Sequence, residues 1–184
     1  MKVCCRELPH STTQPMTRST KLEMRRTVEN LARERKHLEA CEILEKLVAL
    51  SPRNPLIWND LGVQYEAAGH IDKAFIALRR GHQVDPTYPP TLYNLGKFTI
   101  DRFMRLQKSG ELTNAESERM LAEAIGFLNA NLDRDPENAE GHFYIALAYD
   151  LNRNEDMAQS HMTVALRLRE ALEVPSVWQN DVSK

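Results

Sequence analysis

The chain has 184 residues, 42% of them hydrophobic and 27% charged. That is enough apolar material for one sizeable core, and too short a chain for two. A formal net charge of −2 gives no whole-chain case for nucleic-acid binding, and three cysteines (Cys4, Cys5 and Cys41) make no disulfide framework. No apolar run reaches membrane-spanning length, so the expectation is a soluble protein of a reducing, cytoplasmic compartment with no membrane contact.

Residues 1–20 place Pro9 and Pro15 among Ser11, Thr12, Thr13, Thr17, Ser19 and Thr20 with no apolar period, which predicts a disordered arm. Residues 1–36 carry Lys or Arg at nine positions against four glutamates; this basic start is read as a solvated helix face on an acidic body. From Lys21 the pattern turns helical, with Met24, Val28 and Leu31 on one face. A second helix from about His37 to Leu50 carries Ala40, Ile43, Leu44, Leu47 and Val48, and Ser51-Pro52-Arg53-Asn54-Pro55 breaks it. A third helix holds Trp58, Leu61, Gly62 and Tyr65 and ends at Gly69; its partner opens at Asp72-Lys73-Ala74 and runs to about Val84 before Asp85-Pro86.

The next helix carries Leu92, Leu95, Gly96, Phe98, Phe103 and Leu106 to a turn at Ser109-Gly110. Thr113 and Glu116 have the spacing of a capping box and open a helix through Met120, Leu121, Ala124, Ile125 and Leu128, with Pro136 beyond it. A last pair follows with Ile145, Ala146, Tyr149, Ala158, Met162 and Ala165.

Alanine thus recurs at Ala40, Ala74, Ala124 and Ala158, each followed four residues later by Leu44, Leu78, Leu128 or Met162. The first three are followed by Pro52, Pro86 and Pro136. The first and last intervals are 34 residues and the middle one is 50, a repeat with a 16-residue insertion. A fixed period of this length means stacked supersecondary units.

Trp58, Leu61, Gly62, Tyr65, Ala74, Leu78 and Pro86 stand at the offsets of the tetratricopeptide (TPR) signature, W-x2-L-G-x2-Y…A-x3-F…P, with Leu78 in place of the aromatic. The chain resembles that family over about four-fifths of its length. The resemblance implies an all-α, right-handed superhelix of four helix-turn-helix units at 21–54, 55–88, 89–138 and 139–172. The insertion near 102–117 would lengthen both helices of the third unit into a projecting hairpin. Small Gly62 and Ala74 would let two backbones approach while the large positions fill the surrounding space. Residues 173–184 form a tail.

No GxSxG, HExxH or glycine-rich phosphate loop occurs. No catalytic residue, metal or cofactor is expected, and the chain is not read as an enzyme. His142 and His161 lie on different helices of the last unit and are read as structural. What the resemblance implies is a protein-interaction scaffold or adaptor whose first helices line a concave groove that takes an extended peptide of a partner. On that layout Asn59, Tyr93, Asn94, Lys97, Phe143, Tyr144 and Leu147 face the groove. The asparagines would bond a peptide backbone, and Tyr93, Phe143, Tyr144 and Leu147 would form an apolar pocket. The cations with which co-chaperone members hold a terminal carboxylate are missing from the matching positions, so that specialisation is not expected. The alternative is a self-associating subunit. It would use the projecting hairpin and the apolar stripe of Val164 and Leu168, which no following repeat covers and which would meet a second copy, giving a homodimer; the tail folded back on Trp178 is the other way to cover that stripe.

Overall fold

The computed structural model describes residues 18–168, and among them the chain forms eight helices and no strand. They are α1 (Arg18–Arg33), α2 (His37–Leu50), α3 (Pro55–Ala67), α4 (Ile71–Val84), α5 (Pro89–Ser109), α6 (Asn114–Leu132), α7 (Ala139–Leu151) and α8 (Glu155–Leu168). The expectations placed on Cys4, Cys5, Trp178 and the tail lie outside the described residues. The first helix starts at Arg18 rather than Lys21. Ser19 Oγ bonds Glu23 one turn on, and Lys21 Nζ reaches Ser51 Oγ at 2.8 Å, which ties that start to the end of α2.

Helix starts follow local chemistry. Pro55 and Pro89 stand in the first turn, where a missing N–H costs nothing. The Asn138 side chain caps α7 by accepting from Gly141 N. Thr113 and Glu116 form the reciprocal capping box of α6.

All four turns inside the units are built alike. Each holds a residue in the left-handed region: Arg35 (φ 58), Gly69 (φ 79), Gly110 (φ 73) and Arg153 (φ 59). The next N–H reaches back five residues, from Lys36 to Leu31 O, His70 to Tyr65 O, Glu111 to Leu106 O and Asn154 to Tyr149 O, at 2.8, 2.8, 3.1 and 2.8 Å. This geometry satisfies carbonyls left open at a helix end and turns the chain back antiparallel.

Within a unit the two helices nest on their small residues. A Cβ on Gly62 would lie 2.6 Å from Leu78 Cγ and 3.3 Å from Ala74 O, and one on Gly96 would lie 2.4 Å from Leu128 Cγ. In the fourth unit the same position is Ala146, and its partner is the more compliant Met162. The first unit has Val28 there, opposite Leu44, and α1 and α2 pack less closely than the helices of the later pairs.

Between units, α3 packs on α5 and α5 on α7, while α2, α4 and α6 stand apart along their backbones. A stack whose inner row is closer than its outer row must curve, with α1, α3, α5 and α7 on the hollow side. The result is an all-α TPR-like superhelix.

One continuous core runs from Val28 to Phe98, and a second surrounds Ile100, Leu128 and Ile145. The longer α5 and α6, of 21 and 19 residues, carry a small core of their own: Phe103, Met120 and Leu121, flanked by Leu106, Leu112 and Leu151.

Candidate binding site

The inner row is joined by side chains that bridge successive first helices. Asn59, on α3, is buried, and its Oδ1 accepts from Asn94 Nδ2 on α5 at 2.8 Å and from Thr91 Oγ1 at 3.5 Å. Asn59 and Asn94 stand 35 residues apart, one more than the repeat, and their amides pair from one unit to the next. Buried amides need such partners, because an unmet donor or acceptor costs about 1–3 kcal/mol. Asn59 therefore fastens the scaffold and orients Asn94, which is half-buried at the surface of the hollow.

One turn further along α5, Lys97 Nζ lies 2.6 Å from Glu66 Oε1 on α3 and 3.0 Å from Asp101 Oδ2 on its own helix. Burial by itself would lower the ammonium pKa. The two carboxylates outweigh it and hold Lys97 charged well above its ordinary range. Lys97 is thus satisfied from two sides.

Tyr93 and Tyr144 continue the line from α5 to α7. Tyr93 Oη donates to Glu140 Oε2 at 3.1 Å, and its ring meets that of Tyr144 edge-on with centroids 6.0 Å apart. Phe143 meets Tyr144 in the same manner at 5.4 Å. Such perpendicular pairs place the positive edge of one ring on the negative face of the other. Burial, and then the charge of Asp101, raise the Tyr144 hydroxyl above its ordinary pKa against the opposing pull of Lys97, with Glu66 and Glu140 adding to the rise. The hydroxyl thus stays neutral and faces a rim of carboxylates. Leu147 packs with Tyr144 and Tyr93 against the core around Ile100 and Ile145. Phe143 belongs to none of the core clusters, and Tyr144 is its ring neighbour.

Of the seven residues expected on the groove, Tyr93, Asn94, Lys97, Phe143, Tyr144 and Leu147 are half-buried on α5 and α7, and Asn59 lies beneath them. At the near end Arg25 on α1 approaches Asp60 on α3 at 4.0 Å, and burial raises the Asp60 pKa despite that cation. On the final helix Val164 is half-buried and Leu168 is 41% exposed; Leu166 and Met157 on the same helix are similarly open.

Two features of the surface carried no sequence signal of their own. A polar cleft lined by Gln107, Asn114, Ser117, Glu118 and Arg153 separates the hairpin from the end of α7. An apolar hollow lies on the outer side between α2 and α4. No group of three His, Cys, Asp or Glu among the described residues is arranged to hold a metal, and no described helix is long and apolar enough to cross a membrane.

No family model matches the chain, and no curated protein matches it. Solved structures do. A thermophilic TPR protein of Thermus thermophilus, TTC0263, superposes with a TM-score of 0.69 at 17% identity over 82% of this chain and 75% of that one. MamA from Desulfovibrio magneticus RS-1, residues 41 to the end, gives 0.67 at 17% identity over 84% and 78%. A further MamA crystal structure gives 0.62 at 20% identity over 82% and 78%. At these identities the likeness is one of fold.

Proposed function

We propose that the chain is a protein-interaction scaffold that receives an extended segment of a partner in the hollow face over α5 and α7. The observation that carries this reading is the ring set of Tyr93, Tyr144 and Phe143, half-buried on the inner row and held there by its own contacts. Rings already fixed by neighbours lose little freedom when a ligand covers them, so their apolar area goes into affinity rather than ordering. Asn94 is oriented by Asn59 and offers amide groups to a backbone beside those rings. Lys97, by contrast, serves to set the spacing of α3 and α5.

The test uses two variants. Phe143→Ala removes a ring that supports none of the core clusters; Tyr144→Ala removes its neighbour. Partners trapped by a photo-crosslinker placed on α5 are identified, and the trapped segment is titrated as a synthetic peptide. Phe143→Ala is expected to lower affinity about tenfold, or ~1.4 kcal/mol, with the melting temperature unchanged. Equal affinity in both variants refutes the site.

A second reading rests on α8, whose Leu166, Leu168 and Met157 are open at the end of the stack. On this reading Val164 and Leu168 meet a second copy. Light scattering over a concentration series separates the two, since a monomer at all concentrations removes the second.

A further inference from the structure

The outer row has two gaps at equivalent places, one between α2 and α4 and one between α4 and α6. The chain fills the second and leaves the first open. In the second gap Phe127 on α6 meets His82 edge-on at 5.3 Å. The Arg79 guanidinium lies 5.1 and 5.7 Å from the ring centres of Phe75 and Phe127 and pairs with Glu123 across the gap. One unit earlier, Phe127 is replaced by Ala77, Phe75 by Cys41, Arg79 by Glu45 and Glu123 by Lys73. The plug is gone and the charges across the gap are reversed.

What remains is a hollow of about 420 Å3, lined by Val48, Trp58, Leu61, Tyr65, Ile76 and Ala77. Its rim carries Glu45, which accepts from the Tyr65 hydroxyl, and Lys73, whose ammonium lies 5.3 Å from the Tyr65 ring centre. The Trp58 indole is held over it by donating to Pro52 O at 2.8 Å. Ile76 stands 61% exposed beside it.

We propose that this outer slot is a second binding surface, taking an extended segment with one leucine preceded by a cation and an anion, and that residues 1–17 of the same chain supply that segment through Arg6-Glu7-Leu8-Pro9. The described chain begins at Arg18, and three residues on Lys21 bonds Ser51 Oγ at 2.8 Å and Leu50 O at 3.4 Å. That is the corner between α2 and α3 which Trp58 and Pro52 share. The described chain thus starts next to the slot, and a segment of this length, at ~3.3 Å per residue, can span on the order of 50 Å, more than the distance across two helices.

Leu8 is a branched apolar side chain of the size the missing plug leaves room for, and a following proline disfavours helical backbone at that position. Arg6 and Glu7 are opposite in charge to Glu45 and Lys73. Tethering supplies a local concentration of order millimolar, so a contact too weak to hold a free peptide suffices. The inference is independent of the inner-face reading, because it concerns the opposite side of α3.

The experiment is hydrogen exchange and amide chemical shifts on the full chain. Residues 6–10 are expected to exchange about three- to tenfold slower than free peptide, with Leu8→Asp abolishing the slowing and shifting amides of α2 and α4 around Val48, Ala49, Ile76 and Ala77. Lys73→Glu should reduce the protection, and Lys73→Glu with Glu7→Lys should restore it; both changes are at exposed or arm positions that leave the fold intact. Free-peptide exchange in the wild-type chain overturns the proposal. So does protection that grows with protein concentration, which would mean a second copy fills the slot, or a Leu8→Asp shift map that avoids α2 and α4.

Discussion

Placing a methyl group on Gly62 tests the nesting of paired helices directly. The new Cβ would sit 2.6 Å from Leu78 Cγ and 2.7 Å from Leu78 Cδ2, inside van der Waals contact, with Ala74 O at 3.3 Å behind it. Leu78 is 1% exposed and has nowhere to go without moving its neighbours. Overpacking of this kind costs about 1–3 kcal/mol. Alanine returns about 1 kcal/mol as the better helix former. Gly62→Ala alone is therefore expected to be neutral to destabilising by ~2 kcal/mol.

The decisive variant copies the fourth unit, where Ala146 faces Met162. Gly62→Ala with Leu78→Met exchanges a stiff branched side chain for an unbranched one that bends away. It should be more stable than Gly62→Ala by ~1 kcal/mol or more. Leu78→Met alone should cost under about 1.5 kcal/mol. Urea unfolding of all four proteins closes a double-mutant cycle, with hydrogen exchange on α3 and α4 to locate the change, since repeat arrays need not unfold as one unit. Additivity within ~0.5 kcal/mol would refute the close approach of Gly62 and Leu78.

Other consequences follow from single contacts. Thr113→Ala removes the α6 cap and should destabilise by about 1 kcal/mol, seen as faster amide exchange in the hairpin. Arg153→Gly relieves a left-handed residue at φ 59 and should stabilise by up to ~1 kcal/mol, the strain saved less the entropy glycine loses; an unchanged or lower urea midpoint counts against the turn geometry. The His142 and His161 rings give a pH dependence. His142 Nε2–H donates to Pro136 O at 3.1 Å, so its Nδ1 must accept from His161 Nδ1–H at 3.1 Å. Burial, then the His142 ring, lowers the His161 pKa below 6.5. The stabilisation of neutral His161 is therefore full above the unfolded value of about 6.5 and is lost as pH falls through the folded value. Thermal melts from pH 8 to 5 should show it, and His161→Gln should flatten the curve; an equal slope in both proteins excludes the pair as its source.

Architecture was written in small side chains. Gly62 with Ala74, Gly96 with Ala124 and Ala146 with Ala158 recur at buried positions where the facing helix crowds in, Leu78 and the Ala74 carbonyl at Gly62 and Leu128 at Gly96, and such crowding tolerates few residue types. The hairpin was legible for the same reason, since Gly110 and the Thr113–Glu116 box are local devices. Side chains that reach from one unit to the next were not. Asn59 and Asn94 were expected as equal contacts for a ligand. Only the stacking of α3 on α5 makes one the buried acceptor and the other the surface group. Lys97 was expected to face the groove, and packing set Glu66 beside it. The outer slot depends on Ala77 standing where the next unit has Phe127, a difference whose meaning appears once curvature has opened both gaps. Sequence by itself determined which residues pair within a unit, because those neighbours are fixed by helix period and turn length. Tertiary structure decided which side chains meet between units, because that depends on how far each helix pair is rotated over the next.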